Sequence, residues 1–305
     1  MLQEAVSYST FMQKSPLVSI ICLCYNHEQF VVESLNSVLN QTYKNIELII
    51  ADDCSTDSSE KTIKNWLENY PDVPFISNET NLGNTKTFNK ALKIAKGDYV
   101  IDLAADDVLL PNCVEKQIDT FLNSNQKKLA IVYGNAEIIS ENNKHLRYYY
   151  EVNPEKKVLK KPATGDIYSS ILSQNSMICS VSSMVKRQVL DELRGYDENL
   201  AYEDLDLWIR TARNYNFEFI DAVLIQKREL ENSLGNQFYK KFNSRTRKIN
   251  YSTYLILKKA IALNKTKAEN KAVLKRVHQE MVKAKKTYDI GLFIKYIPLE
   301  LKLRF

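Results

Sequence analysis

Residues 99–107 read Tyr99-Val100-Ile101-Asp102-Leu103-Ala104-Ala105-Asp106-Asp107. A largely apolar run ends in two adjacent carboxylates, and Pro111 then opens a helix-like segment over 110–124. Carboxylates at the end of a strand sit where open α/β sheets bind ligands. Two hard oxygen donors in that position suit a divalent cation that bridges phosphates. The stretch therefore points to a nucleotide diphosphate, and its surroundings decide which chemistry follows.

Working outward, the same alternation repeats. Residues 17–24 (LVSIICLC) predict a buried strand. Asn26 is placed to cap the next helix, whose Phe30, Val31, Leu35, Val38 and Leu39 share one face. Residues 46–51 predict a second strand ending in Asp52-Asp53, 58–70 a helix, 73–77 a short strand and 85–96 a helix closed by Gly97. Residues 99–103 are then a fourth strand. Strands alternating with helices of this length imply βαβ units and a mainly parallel sheet with helices on both faces, an α/β fold. Beyond Leu129 the pattern mixes, with a helix over 201–215 and a last strand over 217–226.

Composition removes several function classes. With 44% hydrophobic and 26% charged residues among 305, the chain reads as globular. No apolar run reaches the roughly 18 residues of a membrane span. Residues 1–15 lack a basic start followed by an apolar stretch, so a cytoplasmic location is expected. Five scattered cysteines include Cys22 and Cys24, which share a strand face and read as small buried residues, not a zinc or redox pair. Three isolated histidines argue against a histidine-based metal site. Only seven glycines occur, and none builds a dinucleotide turn or a P-loop. The loop after the first strand, Tyr25-Asn26-His27-Glu28, lacks the glycines that would wrap a triphosphate in backbone amides.

Several motifs then fall in one order. They are Tyr25-Asn26 after the first strand, Asp52-Asp53-Cys54-Ser55-Thr56-Asp57, Asn81-Leu82-Gly83 leading to Asn89, Lys96-Gly97-Asp98-Tyr99, and Ala105-Asp106-Asp107. Gly195-Tyr196-Asp197-Glu198 and Glu203-Asp204-Leu205-Asp206-Leu207-Trp208 close the series. Together they resemble the family 2 glycosyltransferases of the GT-A fold, across residues 16–233. The resemblance implies inverting transfer from a nucleotide-diphosphate sugar of UDP or dTDP type to a hydroxyl of a glycan or lipid-linked glycan, with Mg²⁺ or Mn²⁺. The chemistry asks for the same parts. A departing diphosphate needs charge stabilisation, which a metal supplies. An attacking hydroxyl needs a positioned base.

By this resemblance Asp106 and Asp107 serve the metal and diphosphate. The first aspartate of the family's Asp-x-Asp motif aligns with Ala104, which makes this a paired-aspartate version. Asp52 or Asp53 contacts the base ring, although the same residues read equally as a helix-capping turn. Tyr25 borders the base or is a strand-end core aromatic. Asp204 is the expected general base; its alternative is complementarity to a helix dipole. Arg228 is expected to meet the diphosphate, while Leu230 replaces the family's histidine and Asn232 and Ser233 fit the remaining pattern. Asp102, a charge inside an apolar strand, either faces the acceptor or is a satisfied structural acid.

Charge is unevenly spread. From Gln237 onward the chain carries +14, against −9 for residues before it. We therefore expect a GT-A domain over 16–236 and a basic helical extension over 237–305. Isolated helices are marginal, so the extension must pack on something. Residues 288–305 (YDIGLFIKYIPLELKLRF) mix aliphatics, aromatics and cations. They suit either an anionic membrane surface or packing on the body or on a homodimer partner. Nucleic acid is not expected, since no nucleic-acid-binding motif accompanies the charge. Two other readings are a non-catalytic sugar-nucleotide-binding subunit and a membrane-associated interaction protein.

Overall fold

The computed structural model describes residues 15–175, 177–231 and 233–304. In chain order the first half runs β1 (Val18–Cys24), α1 (Val31–Leu39), β2 (Ile46–Asp52), α2 (Ser59–Leu67), β3 (Phe75–Ser77), α3 (Asn84–Leu92), β4 (Tyr99–Ala104), β5 (Val108–Leu109) and α4 (Cys113–Asn123). There follow β6 (Leu129–Ile139), β7 (His145–Tyr148), α5 (Tyr168–Leu172), β8 (Met184–Lys186), α6 (Arg187–Glu192), α7 (Asp204–Ala212) and β9 (Asn216–Arg228). The extension forms α8 (Ser244–Leu263), α9 (Lys267–Lys286) and α10 (Ile290–Arg304).

Among the described residues one sheet runs β3-β2-β1-β4-β8-β6-β9-β5, with β7 also paired to β6. β3, β2, β1 and β4 are mutually parallel, as the βαβ reading requires. β8 joins β4 and β6 in antiparallel fashion, and β6 and β9 pair in parallel. The alternation of side chains along a strand divides the core. Val18, Ile20 and Cys22 of β1 meet Val31, Leu35, Ile63 and Ile118 of α1, α2 and α4 on one face. Ile21 of β1 and Ile49 of β2 meet Phe88 and Ala91 of α3 on the other.

The second face also receives the extension. Ile249, Ile256, Val273 and Tyr296 belong to the same buried cluster as Ile21 and Phe88. The Tyr202 and Thr253 hydroxyls lie 2.7 Å apart, and the Ala201 amide donates to Ser252 Oγ at 2.9 Å. Lys259 of α8 bridges Asp197 and Asp206. The expectation that the tail packs on the body is met. It is broken where Thr266 and Glu269 build a reciprocal capping box that starts α9.

One local expectation fails. Asn26 does not cap α1, which begins five residues later after Phe30 with no side-chain cap. Asn26 has φ 59°, and its Oδ1 accepts the Thr56 amide at 2.7 Å, tying the loop after β1 to the loop after β2. Asp57 precedes the N-cap Ser58 of α2, and its Oδ1 accepts the Ser59 amide at 2.9 Å.

Candidate active site

Parallel register decides what meets at the sheet edge. Cys24 lies opposite Asp52, and Leu23 opposite Ala104. The residues that follow β1, β2 and β4 therefore emerge together. They border a cavity of about 520 Å³ that also takes the start of α3, the start of α7 and the first turns of α8.

On the strand side the cavity meets Tyr25, His27, Asp53 and Leu82. Tyr25 is 44% exposed, so the core-aromatic alternative does not apply. Asp52 is fully buried and turned to its own loop, with the Ser55 amide on Oδ2 at 2.8 Å and the Ser55 hydroxyl on Oδ1 at 2.5 Å. Asp53 lines the cavity and organises the next loop. It accepts the Leu82 and Gly83 amides and the Thr87 hydroxyl, each at 2.8 Å. Of the two, Asp53 is the one that lines the cavity, and Asp52 is a turn anchor.

On the helix side three carboxyls crowd together. Asp102 lines the cavity and Tyr196 donates its hydroxyl to Oδ2 at 3.0 Å, so the acid is satisfied within the protein. Burial pushes its pKa up to about 7, against that hydrogen bond. Glu203 accepts from Asn84 Nδ2 at 2.7 Å, and burial together with the charges of Asp204 and Asp102 lifts it to about 8. Asp204, the first residue of α7, is raised by burial, and its Oδ1 accepts the Leu205 amide at 2.6 Å. Trp208, one turn on, also lines the cavity. A carboxylate with a raised pKa at a cavity wall is suited to take a proton near neutral pH.

The acidic stop divides its two residues. Asp106 is partly open, with Oδ1 3.8 Å from His27 Nδ1, a buried nitrogen that has no hydrogen-bond partner. Asp107 is buried and accepts the Arg228 amide at 2.9 Å. Burial and the neighbouring Asp106 raise its pKa to about 7, opposed by Lys227 and Arg228. Among the described residues no group of three or more His, Cys, Asp or Glu stands ready to hold a metal ion.

The structure overturns the expectation for Arg228. Its guanidinium is 1% exposed and fully engaged by the protein. It donates to the carbonyls of Asp106, Ser140 and Glu141 and to Asn143 Oδ1, pairs with Glu33 at 2.7 Å, and lies 4.5 Å over the Phe30 ring. Neighbouring strand residues face opposite sides, so Lys227 leaves the face opposite the Arg228 cage, within the field of Asp107 and Asp106 but not among the residues lining the cavity. Burial opposes its charge, but Asp107 and Asp106 outweigh that and hold its pKa above the usual lysine value. Sequence reasoning also missed Arg245 and Lys248, which reach the cavity from α8. Their i, i+3 spacing at the start of a basic helix was the available signal. Asn232 lies outside the described residues.

Fold and site together define a nucleotide-sugar-dependent glycosyltransferase of the GT-A architecture. The model of glycosyl transferase family 2 matches residues 19–194, and the chain belongs to that family. A glycosyltransferase of Methanocaldococcus jannaschii is 34% identical over 217 residues, covering 70% of this chain and 71% of that protein. EpsE of Bacillus subtilis, also named as a glycosyltransferase, is 28% identical over 89% of this chain and 96% of its own. Escherichia coli chondroitin synthase is 29% identical over 73% of this chain, which spans 32% of that longer protein. A Rickettsia bellii glycosyltransferase is likewise longer, with 30% of its length covered. The crystal structure of S. aureus TarS 1–349 in complex with UDP-GlcNAc shares the fold at TM-score 0.66 and 16% identity, covering 94% of this chain and 79% of that one.

Proposed function

We propose that this glycosyltransferase moves a sugar, with inversion at the anomeric carbon, from a UDP- or dTDP-type donor to a hydroxyl of a glycan or lipid-linked glycan acceptor of the cell surface. Asp204 is the general base. It takes the acceptor proton as the acceptor oxygen bonds to the anomeric carbon and the bond to the diphosphate breaks. The observation that supports this reading is that Asp204, with Asp102 and Glu203 beside it, lines the same cavity as Tyr25 and Asp53.

Tyr25 borders the nucleotide base, and Asp53 holds the loop that closes on it. The UDP-GlcNAc named with the TarS structure agrees with a UDP-type donor. Arg245 and Lys248, which reach the cavity from α8, are available to offset phosphate charge, and Lys227 adds to the positive field around Asp106 and Asp107. The residues around the acidic stop fit a divalent ion, Mg²⁺ or Mn²⁺, that arrives with the donor. Asp106 offers a partly open carboxylate, and beside it His27 Nδ1, which the sequence argues against as a ligand, lacks a partner; phosphate oxygens complete such sets. That ion would act as a Lewis acid on the leaving diphosphate. Asp107 stands behind Asp106 as its electrostatic neighbour.

The test is Asp204→Asn. Donor binding measured with UDP stays at the wild-type level, while transfer to an identified acceptor falls by about 10²–10⁴-fold, the usual contribution of a general base. Full transfer activity in this variant would sink the assignment.

A further inference from the structure

The C-terminal helix has two apolar faces, where packing on the body uses one. Leu292 and Tyr296 are buried, and Phe293, Leu299 and Leu303 lean on the same core. On the opposite side Ile290, Ile294, Ile297 and Leu301 are 58, 57, 38 and 51% exposed. Their spacing of four, three and four residues places them within an arc of about 60° on a helix. At the head of this row the exposed rings of Phe242 and Tyr288 stack at 4.6 Å.

Cations rim the row. Lys241 lies over Tyr288, Lys285 over Phe293 and Lys295 over Tyr251, and Lys302 is exposed at the far end. The acids of this helix and its approach are engaged: Glu300 by His278 and Arg304, and Asp289 by the Leu292 amide. With its inner apolar face taken up by the body, the outward row of aliphatics can enter the acyl boundary while the lysines beside it reach headgroup phosphates.

We propose that this face of α10, with Phe242 and Tyr288, docks the protein on an anionic lipid bilayer. The helix would lie in the surface: its 15 residues fall short of the roughly 20 of a span, and none of the described helices is long and apolar enough to cross a membrane. A second copy is the less fitting occupant, because a two-fold contact would set one basic rim against another. Tyr251 lies one turn along α8 from Lys248, which lines the active-site cavity, so the lipid-facing side adjoins the cavity mouth. The docking itself does not depend on the reaction assigned above.

The experiment is co-sedimentation of the full chain with vesicles. Phosphatidylglycerol mixed into phosphatidylcholine should raise binding at least about tenfold over phosphatidylcholine alone, and salt should reduce it. Ile294→Asp with Ile297→Asp, and separately Lys295→Glu with Lys302→Glu, should each abolish most of that gain while thermal unfolding stays at the wild-type temperature. Equal binding to neutral and anionic vesicles, or no change in either folded double variant, overturns the proposal. So does a wild-type dimer in ultracentrifugation that Ile294→Asp dissociates, without vesicle binding.

Discussion

Lys259 is where the basic extension grips α7, the helix that carries the proposed base, and its removal has a calculable cost. Asp206 sits one turn into α7, two residues after Asp204, with its side chain 2% exposed. It holds Lys259 Nζ on Oδ1 at 2.7 Å and Arg210 Nε on Oδ2 at 2.6 Å. Lys259 also pairs with Asp197 in the turn before α7. Two unit charges about 4 Å apart interact by about 4 kcal/mol at an effective dielectric of 20. The Lys259 side chain is 32% exposed, and Arg210 remains after its loss, so screening reduces the net cost to about 2 kcal/mol. Unfolding entropy near 2.1 cal/mol/K per residue over a chain of this size turns that into a fall of about 3 °C in Tm. Lys259→Met should show this fall in calorimetry. The Lys259→Met and Asp206→Asn pair should be non-additive by about 1 kcal/mol or more in a double-mutant cycle. Because α7 starts at Asp204, kcat should drop with KM for the donor little changed. An unaltered Tm, or strictly additive single effects, would refute the claim that this pairing anchors the base-bearing helix.

Other outcomes follow from the site. Arg228→Met leaves three part-buried carbonyls and the half-exposed Glu33 without their donor and should cost about 2–3 kcal/mol in denaturant unfolding; wild-type stability with a selective loss of donor affinity would return Arg228 to the diphosphate. Asp106→Ala should weaken Mn²⁺-dependent UDP binding in calorimetry and leave metal-free binding unchanged, and equal affinities would remove Asp106 from the metal. The transfer rate should rise as pH passes through about 7 to 8, where the Asp102–Glu203–Asp204 cluster loses protons as a coupled set. Tyr196→Phe removes the hydrogen bond that lowers Asp102 and should move that limb upward. For stability the sign is opposite. These acids are raised above their unfolded values, so the native state binds more protons and stability falls between about pH 4 and pH 8; a flat profile across that window would contradict the burial.

The strands with long apolar runs were readable because parallel strands buried on both faces carry an unmistakable composition. Their order could be anticipated because βαβ crossovers leave few alternatives. Helix ends were less legible. The segment 201–215 shortened to α7, and Asn26 turned out to bridge two loops, because a polar side chain near a helix start has several possible partners and only the packed structure selects one. The acids of the site were named from motif and position. Their division of labour was not: Asp52 against Asp53, and Asp106 against Asp107, differ by one residue and by which side of the backbone each side chain leaves.

The sequence by itself determined the parallel half of the sheet, the family resemblance, the two acidic centres and the basic extension, because periodicity and motif spacing are local properties of the chain. Tertiary structure alone decided that Arg228 is held by the protein, since its cage is built from Glu33, Asp106, Ser140, Glu141 and Asn143, residues far apart in sequence. It alone brought Arg245 and Lys248 to the cavity and left one face of α10 bare. Burial and charge pairing are properties of what lies nearby in space, and a one-dimensional pattern holds no record of that.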